Sequence, residues 1–462
     1  MLYVDQPVQV GYSFDELVFS TLDLLDGSVT PVNGSFDAIQ TNNTFVKGLL
    51  PSQNIDAFPN TTANAAKVLW EFTQIWLQEF PEYQSSDDRV SLWSVSYGGH
   101  WGPGLMAHLE SQNRKMRDGT LTSPLRSITP IHLDTLGIIN GCIDAKIESP
   151  FYLQMATNNT YGLQTIPEDA YQQALTNLTM DGGCNDLIDQ CRAFATADPE
   201  NTGTNATINE ACATATQFCF QFVQGAYTET SGRNAFDISR PTLSVFPPNY
   251  IIGFLNQEWV QKDLGVQVNF TISSNNIVNK FFGETGDAVR VTIDTINYVA
   301  QSGIKIALVY GDRDYRCNWL GGEAISLAME HQSSSNFRAA GYSSIDTNST
   351  YQGGVVRQYG GISFSRVFDA GHAAGAFQPE TVSKIFDRVM FNKDVATGMI
   401  DVSNASYSSE GPESSFEIKN VLPGAPENEC YTWDAPFTCT AEQLQALANG
   451  TAVVRDFIVT AP

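Results

Sequence analysis

The chain has 462 residues, 42 % of them apolar and 11 % aromatic, and can bury a large core as one large domain with insertions or as two domains. Its formal net charge of −25 disfavours binding to nucleic acid or to an anionic membrane surface. Since no apolar run is long enough to span a bilayer, and no cysteine or histidine cluster has zinc spacing, we predict neither a membrane span nor a metal site.

Two features of the sequence indicate passage through the secretory pathway. The first is a set of eight cysteines, which suits an oxidising compartment. The second is a set of ten Asn-x-Ser/Thr sequons, typical of a glycoprotein surface, at Asn33, Asn42, Asn60, Asn158, Asn177, Asn205, Asn269, Asn348, Asn404 and Asn449. We therefore expect a secreted or vacuolar protein.

The beginning of the chain predicts a strand followed, after a polar stretch, by a helix. Residues 1–4 read as a core strand, and a chain that starts within a strand is expected to be a fragment that lacks its beginning. Apolar residues at helical spacing predict a helix over 61–80, which Pro81 would end.

The next elements lead to a candidate reactive serine. Arg89–Val95 is predicted to be a buried strand, and Ser96 follows it directly. A helix is expected over about 99–109, and a further strand lies within 128–139. A serine between a strand and a helix is typical of the sharp turn that carries a catalytic nucleophile.

Residues 151–235 are expected to form a helical insertion. Four cysteines with mirrored spacing cluster in it, namely Cys184, Cys191, Cys212 and Cys219. Nested bridges, outer to outer and inner to inner, would close a helical hairpin, and two other connectivities stay open. Near the end of the chain Cys430 and Cys439 could close a short loop, which leaves Cys142 and Cys317 unassigned.

The rest of the chain repeats the strand-then-helix pattern. Residues 305–310 and 362–368 are predicted strands, and a helix with a regular apolar face is expected over 380–391. This alternation predicts a mostly parallel sheet covered by helices on both faces. From about residue 392 the content of polar residues and proline rises, which indicates an appended extension.

Three reactive side chains lie in the segments that directly follow predicted strands, namely Ser96, Asp314 and His372. An imidazole can accept the proton of a serine hydroxyl, and a buried carboxylate orients the imidazole and stabilises its charged form. The chain order serine, aspartate, histidine is the order found in α/β-hydrolases. The main-chain N–H of Tyr97, at the start of the following helix, is expected to donate to an oxyanion.

Competing interpretations exist for these residues. Ser96 could merely cap the helix, because Ser94 occupies the first glycine position of the G-x-S-x-G pattern. Asp312 follows the same strand as Asp314, and either could be a simple turn residue. His372 lies in a glycine-rich loop after a strand, a position that suits proton transfer.

Together these patterns predict an α/β-hydrolase fold with a mostly parallel sheet, helices on both faces and a helical insertion stapled by disulfides. We expect four segments along the chain. They are a first core part with the serine turn (1–150), the insertion acting as a cap (151–235), a second core part with the aspartate and histidine (236–391), and a C-terminal extension (392–462).

Short motifs along nearly all of residues 1–391 resemble the serine carboxypeptidases, most closely a fungal secreted branch. Among the matching segments are Asp5-Gln6-Pro7-Val8, Ser96-Tyr97-Gly98-Gly99-His100, Ile139-Asn140-Gly141, Gly311-Asp312-Arg313-Asp314-Tyr315-Arg316-Cys317-Asn318-Trp319 and Gly371-His372. The resemblance implies removal of single residues from peptide C-termini at acidic pH, through an acyl-enzyme and without a cofactor. It assigns the catalytic aspartate to Asp314, and it implies that Cys317 stays unpaired near the substrate pocket.

The sequence departs from the family pattern where the substrate's terminal carboxylate would be held. The family's Asn-Gly-Gly-Pro-Gly segment is absent, so we expect a second oxyanion donor and the N-terminal strands of the fold to be missing. Val95 stands where the family has a glutamate, and Ala373-Ala374-Gly375 replaces residues that line the pocket. Two alternative functions follow, an acyltransferase or esterase with the same triad, and a catalytically impaired, truncated glycoprotein homologue.

Overall fold

A computed structural model describes residues 1–33, 39–80, 82–83, 86–123, 125, 127–403 and 406–461. Pro81, expected to end a helix, and the sequon residue Asn404 lie outside these ranges. The chain forms two compact units. The smaller comprises Met1–Asn60, Ser239–Gly283 and Gly424–Pro462, and the larger comprises Thr61–Ile238 and Glu284–Pro423. The four segment boundaries drawn from the sequence stay predictions.

The strands of the described residues are, in chain order, β1 (Leu17–Asp23), β2 (Val29–Pro31), β3 (Phe45–Pro51), β4 (Arg89–Val95), β5 (His132–Ile139), β6 (Arg233–Asn234), β7 (Asp237–Pro241), β8 (Lys305–Gly311), β9 (Tyr342–Asp346), β10 (Gln352–Tyr359), β11 (Ile362–Val367), β12 (Val453–Arg455) and β13 (Ile458–Ala461).

The helices of the same residues are α1 (Thr62–Glu79), α2 (Gly98–Arg117), α3 (Ala145–Thr157), α4 (Glu168–Thr179), α5 (Cys184–Ala195), α6 (Ala206–Cys219), α7 (Gly225–Thr230), α8 (Tyr250–Leu255), α9 (Glu258–Leu264), α10 (Asn275–Val278), α11 (Asp287–Arg290), α12 (Ile293–Gln301), α13 (Trp319–Ala328), α14 (Ser334–Ala339), α15 (Ala374–Phe377), α16 (Pro379–Met390), α17 (Ala435–Thr438) and α18 (Ala441–Asn449). Shorter helical turns are the π-type segments Phe220–Gln224 and Asn279–Glu284 and the 3₁₀ turn Thr432–Asp434.

The larger unit contains a six-stranded sheet in the order β4-β5-β8-β11-β10-β9. The pairings β4–β5, β5–β8 and β8–β11 are parallel, whereas β11–β10 and β10–β9 are antiparallel. The prediction of a mostly parallel sheet is therefore confirmed, with an antiparallel meander at one end. The strands predicted before Ser96, Asp314 and His372 are β4, β8 and β11.

Alternate residues of β8 pack on opposite faces of this sheet. Ile306, Leu308 and Tyr310 belong to one core cluster, together with buried residues of α1, α2, α3 and α12. Ala307 and Val309 belong to a second cluster, which includes buried residues of α16. Helices therefore cover both faces, as predicted, because a strand with apolar residues on both sides must be shielded from water on both sides.

The insertion predicted at 151–235 is helical, and its cysteine pairing follows the nested scheme. Cys184 is bonded to Cys219 and Cys191 to Cys212. The two bridges join α5 to α6, since each helix carries one outer and one inner cysteine. The sulfur atoms are buried in a small core of their own, which supplements the hydrophobic burial that these short polar helices provide.

The smaller unit contains the antiparallel sheet β2-β1-β3 and the hairpin β12–β13. The predicted bridge between Cys430 and Cys439 is present and lies in a small core that includes Leu447 and Val459. No helix of the described residues is both long and apolar enough to cross a membrane.

Two local predictions are wrong. Residues 1–4 do not form a strand; they are irregular and exposed, because no neighbouring strand pairs with them among the described residues. The helix after Ser96 does not end near residue 109 but continues to Arg117. Arg114, Lys115 and Arg117 occupy its last turn, where cationic side chains interact favourably with the negative end of the helix dipole.

Candidate active site

The candidate catalytic residues lie at one edge of the six-stranded sheet. Because β4, β5, β8 and β11 are parallel, their carboxyl ends meet at the same edge. Ser96 directly follows β4, Asp314 lies three residues after β8, and His372 lies five residues after β11. The strand order thus brings three segments that are far apart in sequence to a common edge.

Ser96 forms a sharp turn between β4 and α2. Its φ angle is 63°, in the left-handed region that a non-glycine residue adopts only under constraint. The Ser96 carbonyl accepts hydrogen bonds from the N–H groups of Gly99, at 2.9 Å, and Cys142, at 3.1 Å. A Cβ atom at Gly98 would lie 2.6 Å from Ser94 Cβ, and one at Gly99 would lie 2.2 Å from the Cys142 carbonyl oxygen. The turn can therefore form only because both positions are glycine.

His372 is held against Asp314 by a hydrogen bond of 2.6 Å between Nδ1 and Oδ2. Since an ionised carboxylate only accepts, Nδ1 donates, and the other ring nitrogen, Nε2, is left to accept a proton. Phe236 also contacts the histidine. The Phe236 carbonyl accepts the His372 N–H at 2.8 Å, and the two ring centroids are 4.8 Å apart.

Asn140 is a further residue of this site, to which the sequence motif alone assigned no role. Its side-chain Nδ2 donates to Asp314 Oδ2 at 2.9 Å, and its Oδ1 accepts the N–H of Gly311 at 3.0 Å. Asn140 follows β5 directly, just as Ser96 follows β4, so its position at the end of a parallel strand could have identified it. It ties the aspartate to the neighbouring strand.

Asp312, the alternative to Asp314 as the catalytic aspartate, is hydrogen-bonded to a different set of side chains. Its carboxylate accepts hydrogen bonds from Tyr161 Oη at 2.6 Å, from Arg366 Nη2 at 3.1 Å and from Asn420 Nδ2 at 2.7 Å. Burial raises the pKa of Asp312 to about 6, although the charge of Arg366 opposes this shift. The geometry favours Asp314 as the partner of His372, because Asp312 is engaged by other side chains.

The expectation that Cys317 stays unpaired is wrong. Cys317 is bonded to Cys142, with the Cα atoms 5.0 Å apart. The bridge joins the loop after β8 to the loop after β5, which places it beside Ser96 and Asp314. The Cys142 N–H donates to the Ser96 carbonyl at 3.1 Å, and the Cys317 N–H donates to Asp314 Oδ2 at 3.3 Å. Sequence spacing could not reveal this pair, because the two cysteines are 175 residues apart.

A hydrogen bond joins Asp314 to His372 directly, whereas Ser96 is linked to Asp314 through its main-chain carbonyl and the Cys142–Cys317 bridge. Within the described residues the hydrogen bonds of Ser96 are those of its main chain, and its hydroxyl makes none. Catalytic hydrogen bonds are often long in structures without substrate and shorten when substrate binds. The Tyr97 side chain donates to Asp287 Oδ2 at 2.8 Å, which anchors the residue whose N–H starts α2.

The helical insertion contacts the loop that carries Asp314. Tyr315 stacks on Tyr227 of α7, with ring centroids 3.9 Å apart, and its hydroxyl donates to the Gln224 carbonyl at 3.1 Å. Arg316 donates to the Gln224 side-chain oxygen at 2.7 Å. These contacts hold the loop that follows β8, so the insertion supports the position of the aspartate.

Potential ligand atoms of Asp314, Cys317 and His372 lie within 4.8 Å of one another. The Cys317 sulfur is bonded to Cys142 and therefore offers no thiolate to a metal ion. The remaining pair has the hydrogen-bonded arrangement of an acid–base couple.

Comparison with known proteins agrees with this architecture. A family model described as serine carboxypeptidase matches residues 1–392. Carboxypeptidase S1 homolog B of Arthroderma otae is 46 % identical over 466 residues, which cover 99 % of this chain and 71 % of the relative. A carboxypeptidase Y homolog of Arthroderma benhamiae is 37 % identical over 472 residues, which cover 100 % of this chain and 74 % of that relative.

A solved structure shares the fold. The prohormone-processing carboxypeptidase Kex1(delta)p from Saccharomyces cerevisiae superposes with a TM-score of 0.52 over 75 % of this chain and 73 % of the other. At 18 % identity this match concerns the fold alone, which is that of the α/β-hydrolases. The family match and the fungal relatives, with the fold described above, show that the chain belongs to the serine carboxypeptidase family.

Proposed function

We propose that this protein removes C-terminal residues from peptides at acidic pH, with Ser96 as nucleophile, His372 as base and then acid, and Asp314 as the residue that orients the histidine. The observation that carries the proposal is the 2.6 Å hydrogen bond between His372 Nδ1 and Asp314 Oδ2, at the sheet edge where Ser96 occupies its constrained turn. This combination matches the three roles required for acyl transfer by a serine hydroxyl.

In this mechanism His372 Nε2 accepts the proton of the Ser96 hydroxyl while the oxygen attacks the scissile carbonyl. The tetrahedral intermediate expels the C-terminal residue after His372 returns the proton to the leaving amine, and water then hydrolyses the acyl-enzyme by the same route. Asp314 stabilises the charged imidazole throughout. The Tyr97 N–H, at the start of α2, donates to the oxyanion, and such a donor contributes about 10²–10³ in kcat.

We also propose that Cys317 contributes to the wall of the substrate pocket and that the protein acts outside the cell or in the vacuole. Four disulfide bonds among the described residues support an oxidising compartment. An acidic medium would neutralise part of the excess of carboxylates, which give the chain a pI near 4.4.

Labelling by a fluorophosphonate probe tests the nucleophile. The wild-type chain should be labelled once, and Ser96→Ala should abolish both labelling and peptide hydrolysis. Ser91→Ala is the matched control, because Ser91 lies on the same strand and should leave labelling unchanged. Persistent labelling of Ser96→Ala would exclude this serine as the nucleophile, and a folded wild-type chain that is never labelled would favour the non-enzyme alternative.

Val95 favours a second candidate function, an esterase or acyltransferase with the same residues. This side chain is apolar and 49 % exposed at the position of the family's carboxylate-binding glutamate. We expect Val95→Glu to raise peptide hydrolysis relative to ester hydrolysis, with Val95→Gln as the uncharged control. Efficient removal of C-terminal residues by the wild-type chain would exclude this candidate.

A further inference from the structure

Residues 235–238 contact both of the loops that carry the candidate Asp314–His372 pair. They follow β6, and the last two of them begin β7. The segment and both loops belong to the larger unit. The sequence patterns singled out none of these four residues, so their contacts need their own explanation.

The main chain of this segment is hydrogen-bonded to the loop that follows β8 and carries the candidate catalytic aspartate. The Ala235 carbonyl accepts the N–H groups of Tyr315, at 3.1 Å, and Arg316, at 2.9 Å. The Ile238 N–H donates to the Arg313 carbonyl at 2.8 Å. These hydrogen bonds lie before and after the aspartate in sequence, so the segment fixes the main chain on both sides of it.

The same segment contacts the loop that follows β11 and carries His372. The Phe236 carbonyl accepts the His372 N–H at 2.8 Å. A Cβ atom at Gly371 would lie 2.5 Å from the Phe236 carbonyl oxygen and 3.0 Å from the Asp237 Cβ atom. Because only glycine allows such a close approach, the histidine loop packs directly on the segment. The segment therefore joins the two loops.

A buried ion pair connects the segment to the aspartate loop through side chains. Asp237 Oδ1 lies 3.3 Å from Arg313 Nε, and the two side chains are only 3 % and 6 % exposed. The Arg313 guanidinium also lies over the Phe377 ring, 5.1 Å from its centroid, and the Arg313 N–H donates to the Ala370 carbonyl at 2.8 Å. Since Ala370 and Phe377 lie on either side of His372 in sequence, Arg313 contacts both loops.

This ion pair is better suited to fixing geometry than to adding stability. Moving two charges out of water costs free energy that their attraction offsets only in part, and apolar side chains of similar volume often stabilise a protein as well. The contact between a carboxylate and a guanidinium is directional, however, whereas an apolar contact is not. The pair therefore restricts relative movement of the two loops more than apolar packing would.

We propose that Asp237 and Arg313 are positioning residues, whose ion pair holds the Asp314 and His372 loops at the separation that their 2.6 Å hydrogen bond requires. The inference rests on the proposed function, because it takes Asp314 and His372 as the catalytic pair. Both positioning residues act through the loops and not on the substrate. A catalytic group misplaced by about 1 Å can lower the rate by about 10².

The double variant Asp237→Leu/Arg313→Met tests this role, because it replaces both charges by apolar side chains. The His372 Nδ1 proton, held by Asp314, should give a strongly downfield ¹H NMR resonance at low temperature, which His372→Gln assigns by its loss. In the double variant this resonance should move upfield or broaden beyond detection. We expect kcat to fall at least tenfold while KM changes by less than about threefold.

Lys305→Met/Asp134→Leu is the matched control. This ion pair also joins two segments of the larger unit, at 3.0 Å, and each of its side chains is 15 % exposed. It lies near the amino ends of β8 and β5, at the edge of the sheet opposite to the candidate active site. Its loss should lower stability and leave both the resonance and kcat unchanged.

The isosteric variant Asp237→Asn is used if the double variant fails to fold, and it should lower kcat about threefold or more with the same movement of the resonance. The proposal is overturned if either folded variant keeps the wild-type resonance and kcat, if the control changes them as much, or if the wild type shows no such resonance. The resonance needs no substrate. A wild-type chain that shows it but does not shorten peptides would contradict the proposed function, and its loss in the double variant would still support the positioning role.

Discussion

At the scale of single residues, Asn140 is the group that connects the sheet to the candidate catalytic aspartate. Its amide donates to Asp314 and accepts from Gly311, so it bridges the ends of β5 and β8. A side chain with both a donor and an acceptor is required here, because one contact is to a carboxylate and the other is to an N–H. Asn140 therefore acts as a positioning residue.

We expect Asn140→Asp to reduce kcat at least tenfold, about 1.4 kcal/mol, with a smaller effect on KM. The new carboxylate cannot donate to Asp314 and repels it, so the acid limb of the pH–rate profile should move to higher pH. Steady-state kinetics across the acidic range would measure both effects. Asn113→Asp is the control, since Asn113 is also buried but bonds to Ile131 and Glu110 and not to a candidate catalytic residue, and it should alter stability without moving the profile.

The buried carboxyl group of Glu148 should make the free energy of unfolding depend on pH. Its carboxylate accepts the N–H groups of Ile143 and Asp144 just before α3, and burial raises its pKa to about 8. The folded chain therefore holds a proton on Glu148 between about pH 4.5 and 8, where the unfolded chain has released it. This group contributes stability that is full at acidic pH and is lost as the pH rises through that window.

Glu148→Gln should remove this dependence, because an amide keeps an acceptor oxygen but does not titrate. Denaturant unfolding at several pH values would give the free energy of unfolding for both chains. The wild type should lose stability relative to the variant as the pH rises from 4.5 to 8. Glu210→Gln, an exposed substitution, should show no such trend, and parallel curves for the wild type and Glu148→Gln would contradict the assignment.

At the scale of elements, the bridge between Cys142 and Cys317 differs in role from the bridges of the insertion. It links the loops after β5 and β8, and both cysteines donate main-chain hydrogen bonds to candidate catalytic residues. The Cys191–Cys212 bridge, by contrast, joins α5 to α6 within the insertion. Loss of the Cys142–Cys317 bridge should therefore lower both activity and stability, whereas loss of the Cys191–Cys212 bridge should lower stability alone.

We expect Cys142→Ser/Cys317→Ser to lower kcat at least tenfold, because the loops that hold Ser96 and Asp314 would separate more easily. In the chain-entropy model the free energy of unfolding should also fall by about 5 kcal/mol, compared with about 3 kcal/mol for Cys191→Ser/Cys212→Ser. Kinetics and denaturant unfolding of both double variants would test this. Equal effects of the two variants on kcat would show that the bridge beside the active site has no special role.

At the scale of the whole molecule, the net charge of −25 should make stability depend on salt. At pH 7 repulsion among the excess carboxylates destabilises the compact state, and salt screens that repulsion over distances of about 10 Å at 0.1 M. Raising NaCl from 10 to 300 mM should increase the midpoint of thermal unfolding by roughly 2 °C or more at pH 7. Near pH 4.4, where the net charge vanishes, the increase should be much smaller. A midpoint that falls with salt at pH 7 would indicate that attractive ion pairs dominate.

Local sequence patterns were sufficient to predict the strands and helices around the candidate active site. The strand before Asp314, β8, is a nearly continuous apolar run, and such a run has few alternatives once helices flank it. The strand before Ser96, β4, exists as predicted, but the prediction that it is buried is wrong, because its residues are half-buried and its two end residues are exposed. Residues 1–4 show the limit of this reasoning. Their apolar side chains suit a strand, but a strand needs a partner, and none of the described residues pairs with them.

The sequence alone determined the alternation of strands and helices and the order of the candidate triad, because each element and each motif is encoded in a short stretch of chain. It suggested the nested cysteine pairing of the insertion but left two other connectivities open, and the structure decided among them. Only the tertiary structure decided which residues meet at the sheet edge. The contact of Asn140 with Asp314 spans 174 residues, and the bond between Cys142 and Cys317 spans 175. Such pairings arise from the order of strands in the sheet, and no local propensity encodes that order.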